Sequence, residues 1–219
     1  MEMNDYLIFG ASGLTGNHFL EKVKKEGASY HLFVRNNFVD EKESNQTIFN
    51  QDNIQKFPIS KNLVICIGYP LTFIELLRMD QKTKAAFRKV DLDLVVSIAR
   101  KAKDAGIQNI AVVSAVGSSI NSFNFYLDTK ARMEEQILRL GFKKTIFAKP
   151  GHLLGPRDDS RIDNWVKLIE FLGKIYGLLL IGPLKKYKNV DAKEVAEKLF
   201  NAVNRDDSIS NHLIEVNEG

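Results

Sequence analysis

Tyr126 and Lys130 stand four residues apart in a stretch with helical periodicity, so both side chains fall on one face, one turn from each other. A phenol beside an ammonium is equipped for acid-base work. The positive charge favours the phenolate, and the tyrosine can then trade a proton with a carbonyl or alcohol oxygen near neutral pH. The plainer alternative is a partly exposed tyrosine beside a solvated lysine, and position in the fold decides between the two.

A second constellation lies near the start of the chain. Gly10, Gly13 and Gly16 form GxxGxxG, a spacing that suits a tight turn, close approach of backbone to a pyrophosphate, and packing of a helix on a strand. Ser12 sits within the turn, and Leu14 and Thr15 open the helix whose N-terminus faces the phosphates. Arg35 follows the next apolar run, at the place where a carboxylate reads ribose hydroxyls and an arginine pairs with a 2′-phosphate. The nearest acid is Asp40, and Ser12 is a further donor to that phosphate. These residues favour NADP as cofactor, with NAD left open; a plain surface cation is the other reading of Arg35.

The elements that must position these groups alternate. Tyr6–Phe9 reads as a buried strand, Leu14–Glu26 as a helix closed by Gly27, Tyr30–Val34 as a second strand and Thr47–Asn50 as a weak third. Leu63–Ile67 is a fourth strand, and Lys82–Ala105 one long amphipathic helix with Val90, Leu94, Val95 and Ile98 on its apolar face. Ile110–Val113, a polar loop, a helix over Tyr126–Leu140 and a strand over Lys144–Ala148 follow; Ile162–Leu172 and Ala192–Val203 are helical. Repeated alternation with apolar strands predicts the α/β class: a doubly wound parallel sheet in a single domain over residues 1–219, with a small helical C-terminal part over the substrate cleft.

Composition narrows the classes further. Hydrophobic residues make up 44% of 219 and charged residues 26%, enough for a real core. The net charge of +4 arises from 31 basic and 27 acidic residues mixed along the chain, so no nucleic-acid partner is expected; the knot of Lys185, Lys186 and Lys188 reads as a solvated loop. Ile175–Leu184, the longest apolar stretch, is too short to span a bilayer. Four scattered histidines and one cysteine, Cys66, offer no metal-ligand spacing. The lone cysteine and the absence of a leader at the first residues predict a cytoplasmic protein.

Gly10–Gly16, Cys66-Ile67-Gly68, Val112-Val113-Ser114, Tyr126-Leu-Asp-Thr-Lys130 and Lys149-Pro150-Gly151 together resemble a short-chain dehydrogenase/reductase. More narrowly, the chain is similar to the atypical NAD(P)H-binding subgroup that includes the human Tat-interacting oxidoreductase-like protein. The resemblance implies a Rossmann fold, Tyr126 as acid/base, and Lys130 holding the nicotinamide ribose. It also implies that Gly68, Pro150 and Gly151 line the cofactor site and that Asp52 approaches the adenine amine. Two departures stand out. Family members usually end this strand with two serines, and here Ser114 is followed by Ala115, so the substrate-polarising hydroxyl is missing unless Ser114, Ser118 or Ser119 stands in. Lys149 replaces the arginine that commonly precedes Pro-Gly.

His152 is a proton-donor candidate, with a hydrogen-bonded loop histidine the plainer reading, and Cys66 reads as a small apolar filler. Trp165, Leu168, Ile169 and Leu172 either roof the cleft or pack a core. The expectation is an NADPH-dependent reductase of a small-molecule carbonyl substrate, with no membrane partner and an open oligomeric state. Its rival is a dinucleotide-binding regulatory or interaction module that has lost turnover; isomerase or dehydratase chemistry is set aside for want of a large C-terminal substrate domain.

Overall fold

In the computed structural model, residues 3–38, 41–49, 57–72, 75–76, 78–151, 153–154, 190–205 and 211–214 are described. Their elements, in chain order, are β1 (Asn4–Phe9), α1 (Leu14–Lys25), β2 (Tyr30–Val34), β3 (Gln46–Ile48), β4 (Ser60–Ile65) and α2 (Gln81–Arg88). A π-helical segment (Lys89–Leu94) leads into α3 (Val95–Asp104), β5 (Asn109–Val113), α4 (Phe125–Arg139) and β6 (Lys144–Ala148). Then come β7 (Leu153–Leu154), β8 (Val190–Asp191), α5 (Ala192–Asn204) and β9 (Asn211–Ile214).

The main sheet has seven strands in the order β3-β2-β1-β4-β5-β6-β9. Every pairing in it is parallel. The chain therefore builds outward from β1 in one direction, then returns to start again at β4, and the reversal leaves a crevice beyond the carboxyl ends of β1 and β4. This is the doubly wound Rossmann arrangement the alternation predicts.

Strand periodicity splits the core in two. Leu7, Phe9, Leu63, Ile65, Ile110, Val112 and Phe147 face the layer that holds the π segment, α3 and Met133 and Ile137 of α4. Tyr6, Ile8, Val64, Ala111 and Ile146 face the opposite layer, where α1 and α5 contribute Phe19, Leu20, Val195 and Leu199. Each strand is thus apolar on both faces, as a parallel sheet between two helical layers requires. At the sheet centre Phe9 stacks on Phe33 at 4.6 Å, and truncating such a fully buried ring costs about 3–5 kcal/mol.

Two differences from the sequence reading concern the site. The helix expected over Lys82–Ala105 is interrupted by the π segment. The wider turn changes the register, so Asp91 is 2% exposed while the neighbouring Val90 is only half-buried. Secondly, β7 and β8 form a short parallel pair, Leu153 opposite Val190, and β9 adds an edge strand beside β6; none of the three has a periodic run long enough to read. The helix expected over Ile162–Leu172 lies outside the described residues, as do Trp165, Leu168, Ile169, Asp52, Asp40 and His152.

Candidate active site

The glycine turn is built by steric exclusion. Gly10 has φ +85°, and a Cβ there would lie 2.7 Å from the backbone carbonyl carbon and oxygen of Cys66 at the end of β4. A Cβ on Gly16 would lie 2.0 Å from the Gly10 oxygen. Both contacts are backbone to backbone and cannot relax by a rotamer change, so glycine is what lets α1 start this close to β1 and β4. Gly13 is the N-cap of α1, no side chain caps the helix, and no acid occupies its first turn. The first-turn N–H groups and the helix dipole therefore suit an anion. Thr15, in that turn, has a buried hydroxyl without a hydrogen-bond partner. These features fit a dinucleotide pyrophosphate.

Beyond β2, Arg35 and Ser12 are both exposed. Of the two acids described in the adjoining loop, Glu41 is turned away, accepting a 2.7 Å hydrogen bond from the Tyr30 hydroxyl and pairing with Lys24, and Glu43 is exposed in a 3-10 turn just before β3. Burial and the Glu41 contact push the Tyr30 phenol up to about 12, which keeps it a donor. Gln46 fastens the loop by accepting from the Phe38 N–H at 2.8 Å and donating to the Phe38 and Glu41 carbonyls. The residue directly after β2 is thus an exposed cation, and the described acid nearest to it in sequence, Glu41, is engaged elsewhere.

Tyr126 and Lys130 lie in the first two turns of α4. Asn124 caps that helix, accepting from the N–H groups of Tyr126 and Leu127 at 2.9 and 3.3 Å, and its amide donates to the Leu76 carbonyl. The half-buried Tyr126 ring packs on Phe87 at 5.3 Å. One turn along each helix, Lys130 Nζ lies 2.7 Å from Asp91 Oδ1 and 3.4 Å from the Val113 carbonyl of β5. Asp91 Oδ2 in turn accepts from the Tyr69 N–H at 2.7 Å, and its Oδ1 is the nearest group to a Cβ built on the exposed Gly68. Phe87 and Asp91 therefore match Tyr126 and Lys130 turn for turn. Burial works against the Lys130 charge, but Asp91, Tyr126 and Glu134 outweigh it and hold the ammonium above the usual lysine value.

Ser114 is 3% exposed, and its hydroxyl donates to Glu134 Oε1. The Ser118 hydroxyl donates to the same oxygen at 2.7 Å and accepts from Lys149 at 2.9 Å, while Lys149 pairs with Glu134 Oε2 at 2.8 Å. Ala115 is buried, and Ser119 is exposed with a long contact to the Ile120 carbonyl. Backbone bonds lay β6 and its extension against this stretch, with Ser114 N–H on the Ala148 carbonyl and Val116 N–H on the Pro150 carbonyl. Pro150 and Gly151 are thereby brought beside Ser114.

The expected residues gather at the carboxyl ends of β1, β4, β5 and β6, with Arg35 and Ser12 on the exposed rim and Asp52 outside the described residues. Sequence reasoning missed Asp91, Glu134, Phe87 and Asn124. Of these, Glu134 carried a local signal, since it continues the four-residue spacing of Tyr126 and Lys130 along the same helix face, and so did Asn124, a favoured N-cap residue directly before the helix.

No family model matches the chain. A curated relative, Protein FMP52, mitochondrial, of Candida albicans is 28% identical over 202 residues, covering 86% of this chain and 84% of that protein. Protein FMP52, mitochondrial, of Eremothecium gossypii is 30% identical over 174 residues, covering 77% of this chain and 75% of that protein. Among solved structures, the human epimerase family protein SDR39U1 (isoform 2) with NADPH superposes with a TM-score of 0.68 at 15% identity, covering 96% of this chain and 72% of that one. The Rossmann fold is thus shared, and these curated relatives are named FMP52, with nothing in them bearing directly on the narrower subgroup expected. The cytoplasmic expectation is overturned by these relatives, which are named mitochondrial. A lone cysteine excludes an intramolecular disulfide but does not separate the two compartments.

Proposed function

The chain belongs to the FMP52 family, and from that premise we propose that it is a mitochondrial, NADPH-dependent oxidoreductase of the short-chain dehydrogenase/reductase type that reduces a small carbonyl compound. The observation that carries this reading is the pair Tyr126 and Lys130, with the lysine buried and charged at the ends of the strands beside the glycine turn.

The nicotinamide, when bound, supplies the hydride. Gly10, Gly13, Gly16 and the first turn of α1 would hold the pyrophosphate, Arg35 and Ser12 would receive the 2′-phosphate, and Gly68, Pro150 and Gly151 would line the nicotinamide end of the site. Tyr126 donates its phenolic proton to the substrate oxygen as charge develops there. Lys130 has three donors, of which Asp91 and the Val113 carbonyl engage two; the third would serve the nucleotide ribose, and the lysine's charge favours the phenolate that proton transfer leaves behind. Ser114 has committed its proton to Glu134, so polarisation of the substrate falls to Tyr126.

That same commitment, with Ala115 in place of a second serine, favours a second reading: a dinucleotide-binding module without turnover. Calorimetry with NADPH and NADH, followed by NADPH oxidation against aldehydes, ketones and quinones, separates the two. Binding with turnover supports the reductase, binding without turnover the module, and no binding contradicts both.

A further inference from the structure

Two carboxylates and two ammonium groups lie buried together at the strand ends, and the chemistry of Tyr126 calls on one of them. Asp91 of the π segment pairs with Lys130 of α4; one turn beyond Lys130, Glu134 pairs with Lys149 at the end of β6. None of the four is more than 8% exposed. Their signs alternate across three segments of the chain, so each lysine has its own counter-ion and Lys130 also senses Glu134.

Each carboxylate reaches a second stretch of backbone. Asp91 accepts from the Tyr69 N–H, next to Gly68, while Glu134 accepts from Ser114 and Ser118 on the loop after β5. Lys149 runs directly into Pro150 and Gly151. We propose that Asp91 and Glu134 are positioning residues that keep the Lys130 ammonium charged and in place while tying the turns at Gly68 and Pro150-Gly151 to α4. This rests on the reading of Lys130 as the partner of Tyr126 and of the bound nucleotide.

The physical argument is one of desolvation. A buried ammonium deprived of its counter-ion sheds its proton rather than remain charged without water. Described groups facing Lys130 are Asp91 from the π segment, Tyr126 and Glu134 from its own helix, and the Val113 carbonyl from β5; Lys149 is turned to Glu134. Asp91→Asn leaves the lysine with a carbonyl, a phenol and a carboxylate already engaged elsewhere. Its ability to carry charge then falls.

Nuclear magnetic resonance titration of the lysine ε-methylene signals tests this without any nucleotide, with Lys130 assigned by its loss in K130R. The Lys130 midpoint is expected to fall by about one pH unit or more in Asp91→Asn, and by less in Glu134→Gln. NADPH affinity of Asp91→Asn, measured in parallel, then weakens as pH rises through the lowered midpoint. Unchanged midpoints in both variants overturn the proposal. Should Asp91→Asn fail to fold, the double variant D91N/K130Q decides: recovered folding supports an uncompensated ammonium as the cause, and no recovery contradicts it. If the unmodified protein binds no NADPH, the nucleotide reading fails while the midpoints still judge the positioning claim.

Discussion

Ser114 gives its hydroxyl proton to Glu134, a carboxylate that also accepts from Ser118 and pairs with Lys149. The serine at the end of β5 therefore serves the buried network first. Replacing it with alanine removes one of the donors to a buried carboxylate, a loss of about 1–3 kcal/mol in folding stability. Denaturant titration of Ser114→Ala is expected to show that loss with only a modest fall in turnover. A fall above about 100-fold at unchanged stability contradicts this and makes Ser114 a donor to substrate.

Arg35 is exposed at the end of β2, and Glu41 is occupied by Tyr30 and Lys24. A charge-assisted hydrogen bond to a 2′-phosphate is worth about 1.5–3 kcal/mol, so Arg35→Ala is expected to weaken NADPH about 10- to 100-fold. NADH, lacking that phosphate, is expected to change little. Equal losses for both nucleotides in calorimetry remove Arg35 from phosphate recognition.

Gly16→Ala sets a methyl group 2.0 Å from the Gly10 oxygen, a clash between backbones that must spread the turn. The expected cost is about 1–3 kcal/mol, together with loss of nucleotide binding. Gly27 makes the control: its φ is +67° but nothing lies within 4 Å of an added Cβ. Gly27→Ala carries only about 1–2 kcal/mol of backbone strain and keeps nucleotide affinity. Normal NADPH binding by Gly16→Ala contradicts the assignment of the turn.

Cys66 is only half-buried just past β4, and desolvation there pushes its thiol up to about 12 from its ordinary 9.0. The folded protein therefore holds a neutral thiol at pH 8, and alkylation by iodoacetamide is expected to be far slower than for free cysteine. The sign of the linkage follows. Below about pH 9 the group adds no pH dependence, and between about 9 and 12 the unfolded chain loses its proton first, so stability falls as pH rises. A free-cysteine rate of alkylation in the folded protein contradicts the raised thiol value.

Local sequence carried much of this architecture. Tyr30–Val34 and Lys144–Ala148 have the bounds their apolar runs imply, because a buried parallel strand is apolar throughout and turn residues end it. The helix before β5 was legible as a helix but not as an interrupted one, since a π turn adds a residue without breaking the apolar spacing enough to notice. Asp91 was invisible for the same reason: an acid among Lys89, Val90 and Leu92 reads as solvated until the fold sets it against Lys130. Tyr126 and Lys130 were found because their relation is one helical turn. Their supports at 87 and 91 come from another helix, and only tertiary packing joins them.

The turnover of Tyr126→Phe tests the central claim most directly. With a substrate from the carbonyl panel, the variant is expected to reduce it at least about 100-fold more slowly than the unmodified protein, since a positioned acid contributes about 10²–10⁴ in rate. NADPH affinity, read by calorimetry on the same preparations, is expected to stay within a few-fold. Unimpaired turnover by Tyr126→Phe at equal NADPH affinity contradicts the account.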